Sequence, residues 1–226
     1  MTVLIGLINA GDVLIAADRC ASGIDIEPTS GELKTARLND HVCVGVTGSM
    51  HFSNQVLSSL LGRPMWARRG EYIDVVRTAA ADGVFRPGLS FSEAVAETGE
   101  LYRFFCRGGY ILGLPNIIDR DGSFRCSTLL AGLDNGSVRL VSFHESSGAE
   151  PQDMTGRFVV FSPGDGEYDE IVDTILREQA DAPDQAVSEI LTLYAKAFPN
   201  QVSRPYTVRR LSGRFRLEEC AEESKP

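Results

Sequence analysis

Short runs of apolar residues, separated by turn-forming residues, open the chain. Thr2 to Ile8 and Val13 to Ala17 are rich in β-branched side chains, and residues 9–12 between them have turn chemistry. Apolar runs bounded by turn residues are typical of strands, so this pattern predicts an N-terminal β-hairpin. A polar stretch from Ser22 to Thr35 follows, and the apolar run from His41 to Thr47 predicts the next strand.

Five segments further along the chain are predicted to be helical. The first begins near Phe52, and the second covers 73–81. The third runs from an N-cap at Ser90 or Ser92 to about Cys106. The fourth and fifth cover about 168–176 and 187–198. In the last two segments the apolar residues recur at i, i+3, i+4, i+7 and i+8. This spacing predicts amphipathic helices that each bury one face.

The remaining strands are predicted between these helices and at the C-terminus. They cover 110–114, 127–132, 138–143, 157–161 and 206–217, with a turn at Asp134-Asn135-Gly136. Strands return after each group of helices without strict β-α-β alternation. This order predicts an α+β fold with two stacked sheets between outer helix layers, a four-layer αββα sandwich. We expect one domain over residues 1–226, of which 219–226 form a loose C-terminal tail.

The chain is acidic, with a formal net charge of −9 at pH 7. Phosphate binding depends on lysine and arginine, so this charge argues against nucleic acid or an anionic membrane as partner. No apolar stretch approaches the roughly 18–20 residues that span a bilayer, and the N-terminus lacks the basic start of a secretory signal. We therefore expect a cytoplasmic protein. The acidic segment 145–184 and the arginine-rich segment 204–216 are either solvated surface or a charged wall that lines an assembly.

The five cysteines and three histidines form no recognisable metal or redox motif. The cysteines include no C-x-x-C pair, and the histidines are far apart, so no zinc-ligand spacing is present. A cysteine–histidine nucleophile pair cannot be argued from the spacing either. We expect that the protein needs no metal and no cofactor.

Three residues in the first part of the chain could together activate a nucleophile: Thr2, Asp18 and Lys34. After removal of Met1, the α-amine of Thr2 could accept the proton of the Thr2 hydroxyl, because the pKa of an α-amine is about 7.7–8.0. A lysine ammonium beside the hydroxyl would lower the pKa of the hydroxyl and of the amine. A buried aspartate would hold that lysine in place and keep it charged.

Each of these residues also has an ordinary interpretation when it is taken alone. A threonine at position 2 is common, Asp18 could end a strand, and Lys34 could be an exposed loop residue. The chain, however, has 22 lysines and arginines, of which only those at 34, 196 and 225 are lysines. Arginine cannot replace a compact, titratable ammonium, so this choice favours a specific use for Lys34.

Four segments near the N-terminus form a pattern: 2–6 (TVLIG), 13–19 (VLIAADR), Lys34 and 45–49 (GVTGS). Thr2 and Asp18 are sixteen residues apart, and so are Asp18 and Lys34. The pattern resembles the start of a proteasome β-subunit or of its bacterial HslV-type relative, which are threonine peptidases. Residues 129–134 are similar to the central strand of that family. The acidity and added length resemble the beta-proteobacterial proteasome homologue.

The resemblance implies a fold of the N-terminal nucleophile hydrolase type and a self-compartmentalising threonine endopeptidase. Thr2 would be the nucleophile, Asp18 and Lys34 would orient and activate it, and the backbone N–H of Gly48 would stabilise the oxyanion. The substrates would be peptides or unfolded proteins. The chain would form a homo-oligomeric double ring of six- or seven-membered rings, with seven slightly favoured. Whether an ATP-dependent unfoldase serves as a partner stays open.

Two segments depart from the family's pattern. The family's Gly-Ser-Gly falls near Ser162, which is not aligned with the family serine, and its Asp-x-x-Ser falls on 200–203. Ser203 matches and would support the Thr2 amine by hydrogen bonding, whereas Asn200 replaces a carboxylate. Ser162 and Asn200 are therefore supporting candidates only.

A third difference is length. The segment 62–89 is longer than in the family, and it forms either a loop over the cleft or a loop elsewhere on the surface.

Two other functions are compatible with the sequence. A non-catalytic ring or scaffold subunit would share the fold, and a small-molecule amidase would share the nucleophile chemistry. The intact set of Thr2, Asp18 and Lys34 argues against the first function. Size in solution separates an amidase from a compartmentalised peptidase.

Overall fold

The computed structural model describes residues 2–9, 11–23, 26–30, 34–48, 56–57, 59–61, 86–106, 126–144, 150–155, 158–164, 166–203, 206–212 and 216–220. Within these ranges the strands are β1 (Leu4–Asn9), β2 (Asp12–Asp18), β3 (Cys20–Gly23), β4 (Ile26–Ser30), β5 (Thr35–Arg37), β6 (Val42–Gly48), β7 (Cys126–Asp134), β8 (Ser137–His144), β9 (Gln152–Asp153), β10 (Phe158–Phe161), β11 (Tyr206–Ser212) and β12 (Arg216–Cys220). The helices are α1 (Phe91–Cys106), α2 (Asp169–Glu178) and α3 (Pro183–Ala197).

The first sheet is antiparallel and has the strand order β10-β1-β2-β11-β12. β1 and β2 form the hairpin that the sequence predicts, with Leu4 opposite Ala17 and Asn9 opposite Asp12. β10 pairs with the other edge of β1, and β11 pairs with the full length of β2. The N-terminal hairpin therefore occupies the interior of this sheet, and both of its strands are held by strands from the C-terminal half.

The second sheet is also antiparallel and has the strand order β5-β6-β7-β8-β9. Its β6, β7 and β8 confirm the strands predicted near 41–47, 127–132 and 138–143. The predicted turn between β7 and β8 has Asn135 at φ 51° and Gly136 at φ 80°. Two consecutive positive φ values are the type I′ geometry that Asn-Gly favours in tight hairpins.

A small two-stranded hairpin of β3 and β4 lies where the sequence pattern predicts only a polar stretch. The pairing of the two strands is irregular between Ala21 and Gly23. Pro28 falls within β4, and proline and glycine weaken the pattern by which strands are recognised. The local composition therefore concealed this hairpin.

Helix α1 begins where the sequence predicts its N-cap. The Ser90 hydroxyl accepts a hydrogen bond from the Glu93 N–H at 3.2 Å, and the Glu93 carboxylate accepts one from the Ser90 N–H at 2.8 Å. This reciprocal pair is a capping box, which satisfies two donors at the helix start. Of the two serines considered, Ser90 is the cap.

Buried apolar residues form three groups. One joins the two sheets and includes Leu4, Ile15 and Ala17 with Cys43, Leu129 and Leu140. A second joins the second sheet to α1 and includes Val44, Leu130 and Phe143 with Phe91 and Tyr102. A third joins the first sheet to α2 and α3 and includes Ile5 and Leu14 with Val172, Ile190 and Tyr194. The fold is a mixed α/β arrangement with two antiparallel sheets and three helices in the described residues, while the complete four-layer sandwich stays a prediction.

Several expectations fall partly or wholly outside the described residues. The helix at 73–81, the strand at 110–114 and the part of the 62–89 segment before residue 86 lie outside them. The helix expected near Phe52 is represented by helical backbone at 56–57 and 59–60. At the C-terminus β12 reaches Cys220, so the first two residues of the expected tail belong to a strand. In the described part of the chain, no helix is both long and apolar enough to cross a membrane.

Gly132 allows close packing of α1 on the second sheet. A Cβ at this position would lie 2.2 Å from Phe91 Cδ2 and 3.0 Å from the backbone oxygen of His41. We therefore expect Gly132→Ala to lower the free energy of unfolding by about 1–3 kcal/mol through overpacking. Denaturant unfolding measures this loss, with Gly88→Ala as the matched control, because a Cβ at Gly88 would meet nothing within 4 Å. Equal stability of the two variants would contradict the packing argument.

Candidate active site

Antiparallel pairing of β1 and β2 brings the start of the chain beside Asp18. The Val3 N–H donates to Asp18 Oδ1 at 2.9 Å, and the Asp18 N–H donates to the Val3 carbonyl at 3.2 Å. Thr2 precedes this double contact and is only 8% exposed. The hairpin register therefore fixes the backbone of the predicted nucleophile against the predicted aspartate.

The Asp18 carboxylate is fully buried and accepts hydrogen bonds from three different groups. Besides the Val3 N–H, it accepts the Cys20 N–H at Oδ2, 2.9 Å away. Lys34 Nζ donates to both of its oxygens, at 2.9 and 3.0 Å. An ionised carboxylate only accepts hydrogen bonds, so its two oxygens can accept all of these donors at once. The carboxylate thus anchors the lysine, the chain start and the beginning of β3 together.

Lys34 approaches Asp18 from the second sheet. Its side chain is 11% exposed, and its carbonyl accepts the Val46 N–H at 2.8 Å. The next residue, Thr35, begins β5 and lies opposite Gly45 in β6. Since Asp18 ends a strand of the first sheet, the Asp18–Lys34 ion pair bridges the two sheets.

Gly48 ends β6, two residues beyond Val46, the residue that binds the Lys34 carbonyl. Its φ is +103°, in the left-handed region that glycine adopts without a steric penalty. It lies opposite Cys126 in β7 and is exposed. The predicted oxyanion donor is therefore an exposed backbone group at the same end of β6 as the ion pair.

The structure separates the remaining candidates. Ser203 Oγ accepts the Arg19 N–H at 3.1 Å, which places it one residue from Asp18. Asn200 is exposed in the turn that follows α3. Ser162 donates instead to the Tyr194 hydroxyl at 2.8 Å, on the side of the first sheet that packs against α3. Thr2, Asp18, Lys34 and Ser203 thus come together, whereas the contacts of Ser162 give it no link to that group.

The buried thiols near the site are held neutral. Burial raises the pKa of the Cys20 thiol, and the Asp18 carboxylate raises it further. Burial also raises the pKa of Cys43 to about 12. Because the thiolate is the nucleophilic form, neither thiol is activated at neutral pH. Among the described residues, no group of three or more histidine, cysteine, aspartate or glutamate side chains could hold a metal ion.

Sequence reasoning missed one charged residue beside the site, Arg209. It lies in the arginine-rich segment 204–216, for which the sequence predicts either solvated surface or an assembly wall, yet it is 2% exposed and its guanidinium binds Thr35. The alternation of side chains along a strand could have indicated that Arg209 is buried. Arg209 and Leu211 lie on the same face of β11, and Leu211 is buried between the sheets. For Arg209 both earlier interpretations were wrong.

Comparison with known proteins identifies the fold. No family model and no curated protein matches the chain by sequence. Among solved structures, Anbu (ancestral β-subunit) from Yersinia bercovieri matches with a TM-score of 0.65 and 16% identity, covering 99% of this chain and 88% of that chain. Anbu from Pseudomonas aeruginosa, solved as a helical assembly, matches with a TM-score of 0.67 and 14% identity over the same shares.

These matches correct the more specific resemblance inferred from the sequence. The structural neighbours are ancestral β-subunits, a family distinct from the HslV type, so the assignment to the HslV-type branch and to the beta-proteobacterial homologue was wrong. The spacing from Thr2 to Asp18 covers the β1–β2 hairpin, and the spacing from Asp18 to Lys34 covers the β3–β4 hairpin, so it is set by the lengths of these two hairpins. The spacing of these three residues therefore indicates the N-terminal architecture, and it cannot distinguish branches of the fold that share this architecture. At these identities the comparison establishes that the chain has a proteasome-related fold.

Proposed function

We propose that this chain is an N-terminal threonine endopeptidase subunit that acts on peptides or unfolded proteins. The observation that carries the proposal is the buried Asp18–Lys34 ion pair, at 2.9 Å, whose carboxylate also binds the backbone next to Thr2. The proteasome-related fold supports it. Lysine is costly to bury, so a lysine that is only 11% exposed and is paired with Asp18 next to the Thr2 backbone favours a catalytic use.

The proposed reaction uses the Thr2 amine as its base after Met1 is removed. The amine accepts the proton of Thr2 Oγ1 as this oxygen attacks the peptide carbonyl carbon, and the Gly48 N–H donates to the oxyanion that forms. Collapse of the tetrahedral intermediate breaks the C–N bond, and the amine returns the proton to the leaving nitrogen. Water, deprotonated by the same amine, then attacks the ester, restores the Thr2 hydroxyl and releases the acid.

The surrounding residues have distinct roles in this proposal. The Lys34 ammonium lowers the pKa of the Thr2 hydroxyl and amine by its charge. Asp18 orients Lys34 and the backbone at Val3. Ser203, which binds the Arg19 N–H, stabilises the site at the end of β2 and supports the amine.

Removal of Met1 is the first requirement of this mechanism. We expect the intact mass of the purified protein to lack Met1, because a blocked amine cannot serve as base, and we expect fluorogenic peptides to be hydrolysed. A soluble protein that retains Met1 during expression can be treated with methionine aminopeptidase as a positive control, and activity should rise in step with removal. Full removal of Met1 without peptide turnover would refute the proposed function.

We further propose that the chain is a single domain that assembles with copies of itself. The three buried groups, one between the sheets and one on each outer face, support the four-layer arrangement. The neighbour from Pseudomonas aeruginosa is a helical assembly, which supports self-association. Head-to-tail contacts give a ring when the rotation closes and a helix when it does not. A ring and a helix are therefore two outcomes of one head-to-tail interface, and the double ring expected from the sequence needs a second interface that joins two rings.

Sedimentation velocity tests the assembly. We expect species much larger than the 24.6 kDa monomer at micromolar concentration. Electron microscopy of these species distinguishes closed rings from open helices. A stable monomer across low and high salt would exclude a self-compartmentalised peptidase and would favour an amidase with a free-standing site.

A further inference from the structure

Arg209, in the middle of β11, is among the largest side chains that are fully buried in the described chain. Alternation along the strand explains its direction. Val208 packs with α2 and α3, whereas Leu211 packs between the sheets, so Arg209 projects between the sheets as Leu211 does. Arginine is almost never fully buried unless it is paired, so its contacts at this point have a specific role.

The guanidinium of Arg209 binds Thr35 of the second sheet through two hydrogen bonds. Nε donates to Thr35 Oγ1 at 3.0 Å, and Nη2 donates to the Thr35 carbonyl at 3.3 Å. Thr35 is fully buried. A planar fork that holds a hydroxyl and a carbonyl at once fixes position and orientation together. These bonds tie β11 of the first sheet to the first residue of β5.

Thr35 directly follows Lys34, and β11 directly neighbours the strand that carries Asp18. Arg209 lies opposite Ile15, and Tyr206 lies opposite Asp18. The first sheet therefore holds Arg209 and Asp18 at a fixed separation. On the other side, the Lys34 backbone is held by Val46 and by the Arg209–Thr35 contact. Asp18 and Lys34 are therefore connected in two ways. They form a direct ion pair, and they are also linked through β2, β11 and the Arg209–Thr35 hydrogen bonds.

We propose that Arg209 is a positioning residue that, through Thr35, holds the Lys34 ammonium against Asp18 and beside Thr2. Lysine has a flexible stem of four carbons, so an ion pair alone would leave its ammonium several positions. The bonds to the Lys34 carbonyl and to Thr35 fix the backbone from which this stem extends, so the ammonium can take fewer positions. The effect on the reaction rests on the proposed function, whereas the effect on Lys34 itself does not.

The accessibility of Lys34 tests the positioning without any catalysis. The chain has only three lysines, so acylation of each can be followed by peptide mass mapping, with exposed Lys196 as internal reference. We expect Arg209→Met and Thr35→Val to raise the acylation rate of Lys34 relative to Lys196 severalfold. Thr35→Ser, which keeps the hydroxyl, should stay near the wild-type rate.

The matched control is Arg210→Met. Arg210 is the next residue of the same strand, so its side chain projects to the opposite face of the sheet from Arg209, and it pairs there with Asp184 at 2.5 Å. It should leave Lys34 labelling unchanged. Thermal unfolding identifies variants that do not fold. If Arg209→Met fails to fold, Thr35→Val decides, because it replaces one hydroxyl by a methyl group of similar size. Unchanged Lys34 labelling in a folded Thr35→Val protein would overturn the proposal.

Peptide hydrolysis provides the second measurement. Displacement of a charged group by about 1 Å can cost roughly 100-fold in rate, so Thr35→Val should lower kcat 10- to 100-fold with little change in KM. The Lys34 charge lowers the pKa of the Thr2 amine. Its displacement should therefore move the acidic limb of the kcat/KM profile to higher pH, by about half a unit or more. A purely structural role would reduce activity without this shift, and a wild-type protein with no activity would refute the proposed function while the labelling result still stands.

Discussion

Replacement of Thr2 by alanine is expected to abolish peptide hydrolysis while the fold and the assembly stay intact. The variant removes the hydroxyl that forms the ester but keeps the amine and the backbone of residues 2 and 3. Loss of a nucleophile lowers kcat by roughly 10⁴-fold or more. Thr2 contributes one small side chain at the edge of the core, so the unfolding temperature should change little.

Thr2→Ser is the matched control for this experiment. It keeps the hydroxyl and the amine and loses only the methyl group that restricts the χ1 rotamer, so we expect partial activity. Fluorogenic peptide assays measure the rates, and sedimentation checks that all three proteins assemble alike. Wild-type turnover by Thr2→Ala would show that another group is the nucleophile, whatever the fold.

Asp18→Asn is expected to have the largest effect on stability and to lower activity as well. An amide presents two N–H donors where Val3, Cys20 and Lys34 all donate, so at least one of these contacts becomes a clash of donors. The Lys34 ammonium also loses its counter-charge in a buried site. Breaking a buried ion pair by removal of one partner costs about 3–5 kcal/mol, which denaturant unfolding can measure.

Asp153→Asn is the control for loss of an aspartate at the surface. Asp153 binds Thr155 and Arg139, but it is more than half exposed, and such pairs contribute about 1 kcal/mol or less. A double-mutant cycle with Lys34→Met separates the two partners: the double variant should lose less stability than the sum of the single variants. If Asp18→Asn unfolded at the same denaturant concentration as Asp153→Asn, the central role of the Asp18 carboxylate would be disproved.

The parts of the fold with strong local signals could be predicted from the sequence. The N-terminal hairpin follows from two β-branched runs around a turn, and α1 follows from the Ser90–Glu93 capping box. The hairpin at 134–137 follows from Asn135-Gly136, since few other pairs adopt two positive φ values. In each case the determining interaction lies within a few residues along the chain.

The features that the sequence did not reveal depend on contacts between residues that are distant along the chain. Arg209 is 174 residues from Thr35, and only the docking of the two sheets brings them together. Ser162, a supporting candidate only, directly follows β10 and binds Tyr194 in α3, 32 residues away, a contact that local sequence does not reveal. The predicted branch of the family was wrong for a different reason. The residues that suggested it are spaced by the N-terminal hairpins, and related architectures share these hairpins.

The Asp18–Lys34 ion pair between the sheets also determines at which stage of folding the site forms. Asp18 ends a strand of the first sheet, and Lys34 directly precedes β5 of the second sheet. The first sheet is itself complete only when β10 and β11 have paired with the N-terminal hairpin. Pairings of such large sequence separation form late in folding, because the chain must first close long loops. Under the proposed function, a chain whose β10 and β11 have not yet paired with the N-terminal hairpin lacks the complete site, and Thr2 is activated only after those strands have met.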